Sequence, residues 1–323
     1  MQRIGVLTSG GDAPGMNATL RAVVKAGTYH NLEVLGIEAG YIGLLEKRYR
    51  KLEILDVEEI VSYGGTIIKT GRTKEFQSET GFKKALANIK NLELDGLVVI
   101  GGNGSMKGAQ KLVDAGVKVI GVPGTIDNDI TGTDYAIGFD TACNIVTETV
   151  DRILDTATSL VGDTPRVFVI EVMGRHSGEI AMNSTLAGSV DGLLIPELEI
   201  DYDEVADNLK RKFEIGKNYG IILMAEGVGK VDDISRELEM RLGYKIRETL
   251  LGHQQRGGRP TFFDRVLASK LGAEAVNQLV KGENAKMVGI KNNKVEVTDL
   301  KVVNNSDKEF NDKDYKLNRI LCY

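Results

Sequence analysis

Two carboxylates two residues apart in a short polar stretch, Thr125-Ile126-Asp127-Asn128-Asp129, are the groups in this chain best suited to chemistry. They follow Pro123 and Gly124, which end an apolar, β-branched run over residues 117–122 that reads as a short buried strand. A hydroxyl and two carboxylates then stand at the carboxyl end of a strand, where open α/β sheets hold their ligands. In such a place one carboxylate can take a proton from an attacking hydroxyl while the other keeps a metal beside a polyphosphate. The same residues would equally serve a polar turn that caps a following helix.

Two other stretches follow a strand–glycine–helix plan. Residues 3–8 run into Ser9-Gly10-Gly11-Asp12-Ala13-Pro14-Gly15, and residues 94–100 run into Gly101-Gly102-Asn103-Gly104-Ser105. A helix is expected after each, over 106–115 in the second case, so that unsatisfied backbone N–H groups and the helix dipole can meet a phosphate. Gly11 matters most, because a side chain there would hold a phosphate off the backbone. Neither stretch fits the dinucleotide fingerprint or the lysine-bearing phosphate loop. A strand over 33–37 precedes Tyr41, whose ring can stack on a base or simply pack. Arg72 lies in a glycine-rich, basic loop over 64–73 and offers a guanidinium fork to phosphate.

The elements that must position these groups continue along the chain. An amphipathic helix is expected from Phe139 to about Leu160, with Ala142, Val146 and Val150 on its apolar face. A strand over 166–172 leads into Met173-Gly174-Arg175, which suggests a second α/β unit beginning near residue 139. Further strands are expected at 192–195, 220–225 (closed by Glu226) and 286–290. The run Gly252-His253-Gln254-Gln255-Arg256, with Arg247, reads as a site for a dianionic phosphate or as an exposed basic loop. Residues 304–316 read as an exposed connection before a short terminal helix.

Composition narrows the class. Hydrophobic residues make up 42% and charged residues 27% of 323 positions, as in an ordinary globular protein. With 38 glycines against 5 prolines, many tight strand-to-helix turns are the natural reading. A formal charge of −5 argues against nucleic acid or a membrane surface as partner, so an anionic ligand needs local arginines. The two cysteines, Cys143 and Cys322, make no disulfide framework and suit a reducing cytosol. No apolar run approaches the ~18 residues of a membrane span, and a cytoplasmic location is expected.

The run from Thr8 to Asn17, the run from Pro123 to Asp129, Val172-Met173-Gly174-Arg175 and the run from Gly252 to Gly258 together resemble the bacterial ATP-dependent 6-phosphofructokinase family, from Met1 to about residue 300. The resemblance implies an α/β fold of two Rossmann-like three-layer domains with mostly parallel sheets and the active site in the cleft between them. Residues 1–138 with about 252–300 would form the nucleotide-binding domain, and 139–251 with about 301–323 the sugar-phosphate-binding domain. It further implies phosphorylation of fructose 6-phosphate at its 1-hydroxyl by ATP, with Mg²⁺, in a homotetramer with shared substrate sites. Gly11, Tyr41, Arg72, Thr73, Gly102, Asn103, Gly104 and Ser105 would line the ATP site. Thr125, Ile126 and Asp127 would meet the sugar, Asp127 as the base, while Asp129, with Asn103, would face the metal. Met173, Gly174, Arg175 and Glu226 would position the sugar phosphate, with Arg175 also stabilising the transferring group, and Gly11, Arg72 and Thr125 would stand with Asp127 and Arg175 among the catalytic residues. His253, Gln254, Gln255 and Arg256 would hold the 6-phosphate, joined across a subunit interface by Arg166 and Arg247. Gly104 and Gly124 match ATP users, since diphosphate users carry Asp and Lys there.

Two departures qualify what the resemblance implies. Asn103 stands where the family has aspartate, which removes one negative charge from the Mg²⁺ surroundings. Slow turnover with preserved binding, a kinase for a related ketose phosphate such as tagatose 6-phosphate, and a catalytically impaired regulatory binding protein are the readings this leaves. The family's effector site keeps Arg21, Lys25, Asp191 and Lys217. Leu154, Ile215, Asn218 and Tyr219 occupy its usual basic positions, so weak effector control is expected.

Overall fold

A computed structural model describes residues 1–159 and 162–323. The expected helix end at Leu160 and the start of the 160–165 loop lie outside the described residues. The chain divides into two compact units, Met1–Thr141 with Arg256–Lys308 and Ala142–Gln255 with Glu309–Tyr323.

The first unit holds β1 (Arg3–Ser9), β2 (Glu33–Ile37), β3 (Tyr49–Lys51), β4 (Gly96–Gly101) and β5 (Val119–Pro123). The second holds β6 (Arg166–Val172), β7 (Gly192–Leu194), β8 (Tyr219–Ala225) and β9 (Ile246–Leu250); β10 (Lys286–Lys291) and β11 (Lys294–Asp299) return to the first. Its sheet runs β11-β10-β5-β4-β1-β2-β3, parallel except for the antiparallel edge strands β3 and β11. Every residue of β4 is buried, as a central parallel strand covered on both faces requires. Leu7, Val99, Met106, Leu112 and Leu300 share one core cluster, and each fully buried side chain of this size contributes about 1.5–3 kcal/mol. Helices Met16–Tyr29 and Phe262–Val280 pack closely because Gly272 faces the Thr19 carbonyl and Ala22, where a Cβ would have no room.

The second unit carries an all-parallel sheet, β7-β8-β6-β9. Val167, Val169, Ile222 and Met224 pack there with Leu209 and Leu238 from two helices.

Three strands escape the sequence reading. β3 is only three residues long and β9 carries charge on both faces, so alternation gives little signal there. In β11, by contrast, Val295 and Val297 alternate with Lys294, Glu296 and Thr298, a signal that the sequence reading passes over. The stretch 304–316 is a connection only in part, because a helix begins at Asp312 within it. Val303, expected in the other domain, joins Leu300 in the first unit's core.

Candidate active site

β1, β4 and β5 are parallel neighbours, so the turns leaving their carboxyl ends share one edge of the sheet. Ser105 Oγ donates to the Ser9 carbonyl at 3.0 Å, and the Gly124 N–H donates to the Gly101 carbonyl at 3.0 Å. A Cβ built on Gly102 would stand 3.5 Å from that of Thr125. The three glycine turns are therefore in contact. Helix Asn103–Asp114 starts within the second turn, and Gly102 gives it no side-chain cap, which leaves its first N–H groups for a ligand.

The acidic turn is held by its middle residue. Asn128 has φ +50°, its Oδ1 accepts the Ala136 N–H at 2.8 Å and its Nδ2 donates to the Asp134 carbonyl at 3.1 Å. Lys308 Nζ donates to the Asn128 carbonyl at 2.9 Å. Asp127 is 4% exposed, with its N–H donating to Thr125 Oγ1 at 3.2 Å, whereas Asp129 is half-buried. Ile126 is wholly in the core, so it supports this turn from behind. Asn103 Nδ2 donates to the Asp129 carbonyl at 3.3 Å, a bond that an ionised aspartate could not make.

Buried polar groups missed at the sequence level hold the 63–73 loop against the first turn. Asn17 Nδ2 donates to the Tyr63 and Gly64 carbonyls at 3.2 and 3.0 Å, and its Oδ1 accepts the Ile67 N–H at 2.8 Å. Thr8 Oγ1 donates to the Lys69 carbonyl at 2.8 Å. The Gly10 N–H donates to the Gly71 carbonyl at 3.3 Å, and Thr70 Oγ1 donates to the Gly10 carbonyl at 3.1 Å. Thr70 and Gly71, which precede Arg72 in the chain, are thereby held against Gly10. The available signal was a polar residue amid an apolar strand or helix face.

Two side chains stand elsewhere than expected. Tyr41 is 6% exposed, its ring stacks on Phe76 at 4.2 Å and its hydroxyl donates to the Ser105 carbonyl at 2.7 Å. It packs in the core and supports the second turn rather than offering an open face to a base. Burial drives its phenol pKa strongly upward. Arg256 lies over the first turn: a Cβ on Gly11 would run into its guanidinium, and its Nη1 donates to the Asp12 carbonyl at 3.2 Å.

In the second unit β8, β6 and β9 are likewise parallel neighbours. The Met173 N–H donates to Gln255 Oε1 at 3.1 Å, and the Arg175 N–H donates to Glu226 Oε1 at 3.0 Å. Gly174 has φ +136° and Arg175 φ +55°, a left-handed pair that turns the arginine outward at a local cost of about 1–3 kcal/mol. Gln255 is fully buried, while His253 and Gln254 are exposed on the same short turn. Arg166 opens β6 at its far end, on the order of 20 Å from Met173 along the strand. Its Nη2 donates to the Thr156 and Ala157 carbonyls at 3.1 and 2.6 Å. Arg247 pairs with Phe168 near that end, its guanidinium 5.7 Å from the ring centre. Neither arginine joins the Met173–Glu226–Gln255 group of its own chain.

Three of the four expected effector residues, Lys25, Asp191 and Lys217, are engaged within the chain. Asp191 Oδ1 lies 2.6 Å from Lys212 Nζ and 2.5 Å from Lys217 Nζ. Lys25 Nζ pairs with Glu58 at 2.8 Å, and that hydrogen bond, outweighing desolvation, lowers the Glu58 pKa. Arg21 lies one turn earlier on the same helix. A cavity of about 430 Å³ beside Asp191 is lined by Arg211 and Arg319, but Arg319 pairs with Glu204 and Arg211 lies over the Tyr323 ring at 5.2 Å.

Among the described residues no group of three or more His, Cys, Asp or Glu side chains could hold a metal ion. Mg²⁺ does not need such a cage, since it keeps several waters and takes one or two carboxylates plus phosphate oxygens. Half-buried Asp129, with the Asn103 carbonyl oxygen nearby, fits that use.

A family model for phosphofructokinase matches residues 3–279. The chain belongs to the phosphofructokinase family. Relatives named ATP-dependent 6-phosphofructokinase include those of Natranaerobius thermophilus and Bacillus subtilis, each 52% identical over 91% of both chains. A third, from Clostridioides difficile, is 48% identical over 99% of both. Among solved structures, Pichia pastoris phosphofructokinase in the T-state superposes with a TM-score of 0.88 at 33% identity. The match spans 99% of this chain and 38% of that one. A pyrophosphate-dependent phosphofructokinase from Marinobacter aquaeolei shares the fold, with a TM-score of 0.85 at 24% identity over 96% of this chain and 86% of that one. The two-unit α/β architecture is thus that of the phosphofructokinases.

Proposed function

We propose that this phosphofructokinase transfers the terminal phosphoryl group of ATP to the 1-hydroxyl of fructose 6-phosphate, giving fructose 1,6-bisphosphate and ADP in glycolysis. The observation that carries the reading is the meeting of two glycine turns and the Asp127 carboxylate on adjacent strand ends. Relatives identical at about half of all positions carry that activity in their names, and nothing favours the tagatose-phosphate kinase or the regulatory protein.

Phosphoryl transfer asks a protein mainly for alignment and charge neutralisation. The N–H groups around Gly11 and at the open helix start beyond Gly102 receive the polyphosphate. Asp127, held by Thr125 and by the Asn128 clamp, accepts the proton of the attacking hydroxyl. Arg72 and Arg175 offset charge on the transferring group. Mg²⁺, when bound, neutralises the polyphosphate, and Asp129 with Asn103 would face it. Met173, Gly174, Glu226, His253, Gln254 and Gln255 orient the sugar phosphate. Arg166 and Arg247, remote from that group in their own chain, serve a second copy's sugar phosphate in a homotetramer. A cytoplasmic site of action accords with the absence, among the described residues, of any helix long and apolar enough to cross a membrane.

A coupled assay with ATP and Mg²⁺ against fructose 6-phosphate and tagatose 6-phosphate tests the reading. Turnover is expected with the first and not efficiently with the second. No ADP formation with either sugar would refute it.

A further inference from the structure

Position 103 carries a chemical property beyond its missing charge. Asn103-Gly104 is the sole Asn-Gly pair in the 323-residue chain. An asparagine followed by glycine is the pair most open to self-cyclisation, because glycine's nitrogen has no neighbouring Cβ to shield it. The local structure leaves this pair exposed to that reaction. Asn103 and Gly104 are the first two residues of helix Asn103–Asp114, so neither N–H has an intrahelical acceptor, and the helix has no side-chain cap. Gly104 is exposed, with open space for 4 Å around where its Cβ would be. Two glycines precede Asn103, so no side chain before it shields the turn, and helix ends are where local opening is easiest. The Asn103 side chain itself is held by one bond of 3.3 Å from Nδ2 to the Asp129 carbonyl, while the backbone bonds of Ser105 and Met106 to the Gly102 carbonyl must open with the turn.

We propose that Asn103 is a self-modifying site that matures into a carboxylate. The Gly104 nitrogen attacks Asn103 Cγ, an N–C bond forms, the Cγ–Nδ2 bond breaks and ammonia leaves with the transferred proton. Water then opens the cyclic imide, giving an aspartyl or iso-aspartyl residue. No redox partner is needed. The product restores negative charge where the family has aspartate, so enzyme that has aged responds to Mg²⁺ at lower concentration than fresh enzyme. That functional half rests on reading Asp129 and residue 103 as the metal's surroundings, whereas the covalent half does not.

The test is to hold the purified full-length protein at mildly alkaline pH and follow mass, with peptide mapping around residue 103. The expected result is a gain of about 1 Da located at 103, absent in Asn103→Gln and slowed several-fold in Gly104→Ala. Mg²⁺ with a non-hydrolysable ATP analogue, by covering the turn, should slow it too. A synthetic peptide of residues 99–109 shows that the conditions suffice. If that peptide converts while residue 103 of the folded chain stays an amide, the proposal is overturned. Conversion with no fall in the half-saturating Mg²⁺ concentration overturns its functional half.

Discussion

Replacing Asn103 by Asp isolates the charge at this position. Two effects oppose each other. The donor to the Asp129 carbonyl is lost, a 3.3 Å neutral bond worth about 0.5–1.5 kcal/mol. Against that, with Mg²⁺ held beside Asp129 as proposed, a unit negative charge would be gained near a divalent ion, taken as about 5 Å away. At an effective dielectric of roughly 40–80, suited to a half-exposed turn, the gain is about 2–3 kcal/mol. The lost bond does not melt the acidic turn, because Asn128 and Lys308 still hold it. The net of about 1–2 kcal/mol predicts a fall on the order of tenfold in half-saturating Mg²⁺, with a rise in kcat. The fructose 6-phosphate KM should change little. Steady-state rates across a Mg²⁺ titration read all three quantities. An unchanged Mg²⁺ midpoint together with an unchanged or lower kcat would refute the reasoning.

Other perturbations follow from the same geometry. Asp127→Asn should lower kcat by about 10³ while sugar binding, measured by calorimetry, persists, since it removes the base and little else; near-normal turnover would unseat Asp127. Asp264, fully buried, accepts hydrogen bonds from the Gly138 and Thr141 N–H groups at 2.8 and 2.9 Å, yet burial lifts its carboxyl to about 6. Because the folded value lies above the ordinary one, its contribution to stability is whole at low pH and declines as pH rises through 6. Urea melts at about pH 4.5 and 7.5 should therefore show wild type losing roughly 2 kcal/mol more than Asp264→Asn; equal losses would contradict this. ADP or phosphoenolpyruvate should shift the fructose 6-phosphate midpoint less than about twofold, because each missing charge-assisted bond forfeits about 1.5–3 kcal/mol. A large shift at low effector concentration would show that Lys25 and Lys217 are released from Glu58 and Asp191.

What could be read from sequence followed backbone chemistry. The turns at Gly11, Gly102 and Gly124 are marked by glycines after apolar runs, and β6 matches its expected span because Arg166 to Val172 is bounded by Pro165 and Met173-Gly174. What escaped notice depends on neighbours distant in the chain. Nothing local in Tyr41 says that Phe76, 35 positions on, will take one face of its ring. Nothing in Arg256 says that it will reach Asp12, 244 residues earlier. Asn17 and Thr8 look ordinary until their partners in the 63–71 loop are known.

Gln255 grips the Met173 N–H and Arg256 grips the Asp12 carbonyl. These consecutive residues belong to different units of the chain, joined by one peptide link about 3.8 Å from Cα to Cα. Gln255 closes a turn of its own unit and Arg256 closes a turn of its own, so inserting or deleting a residue at this link would disturb both bonds.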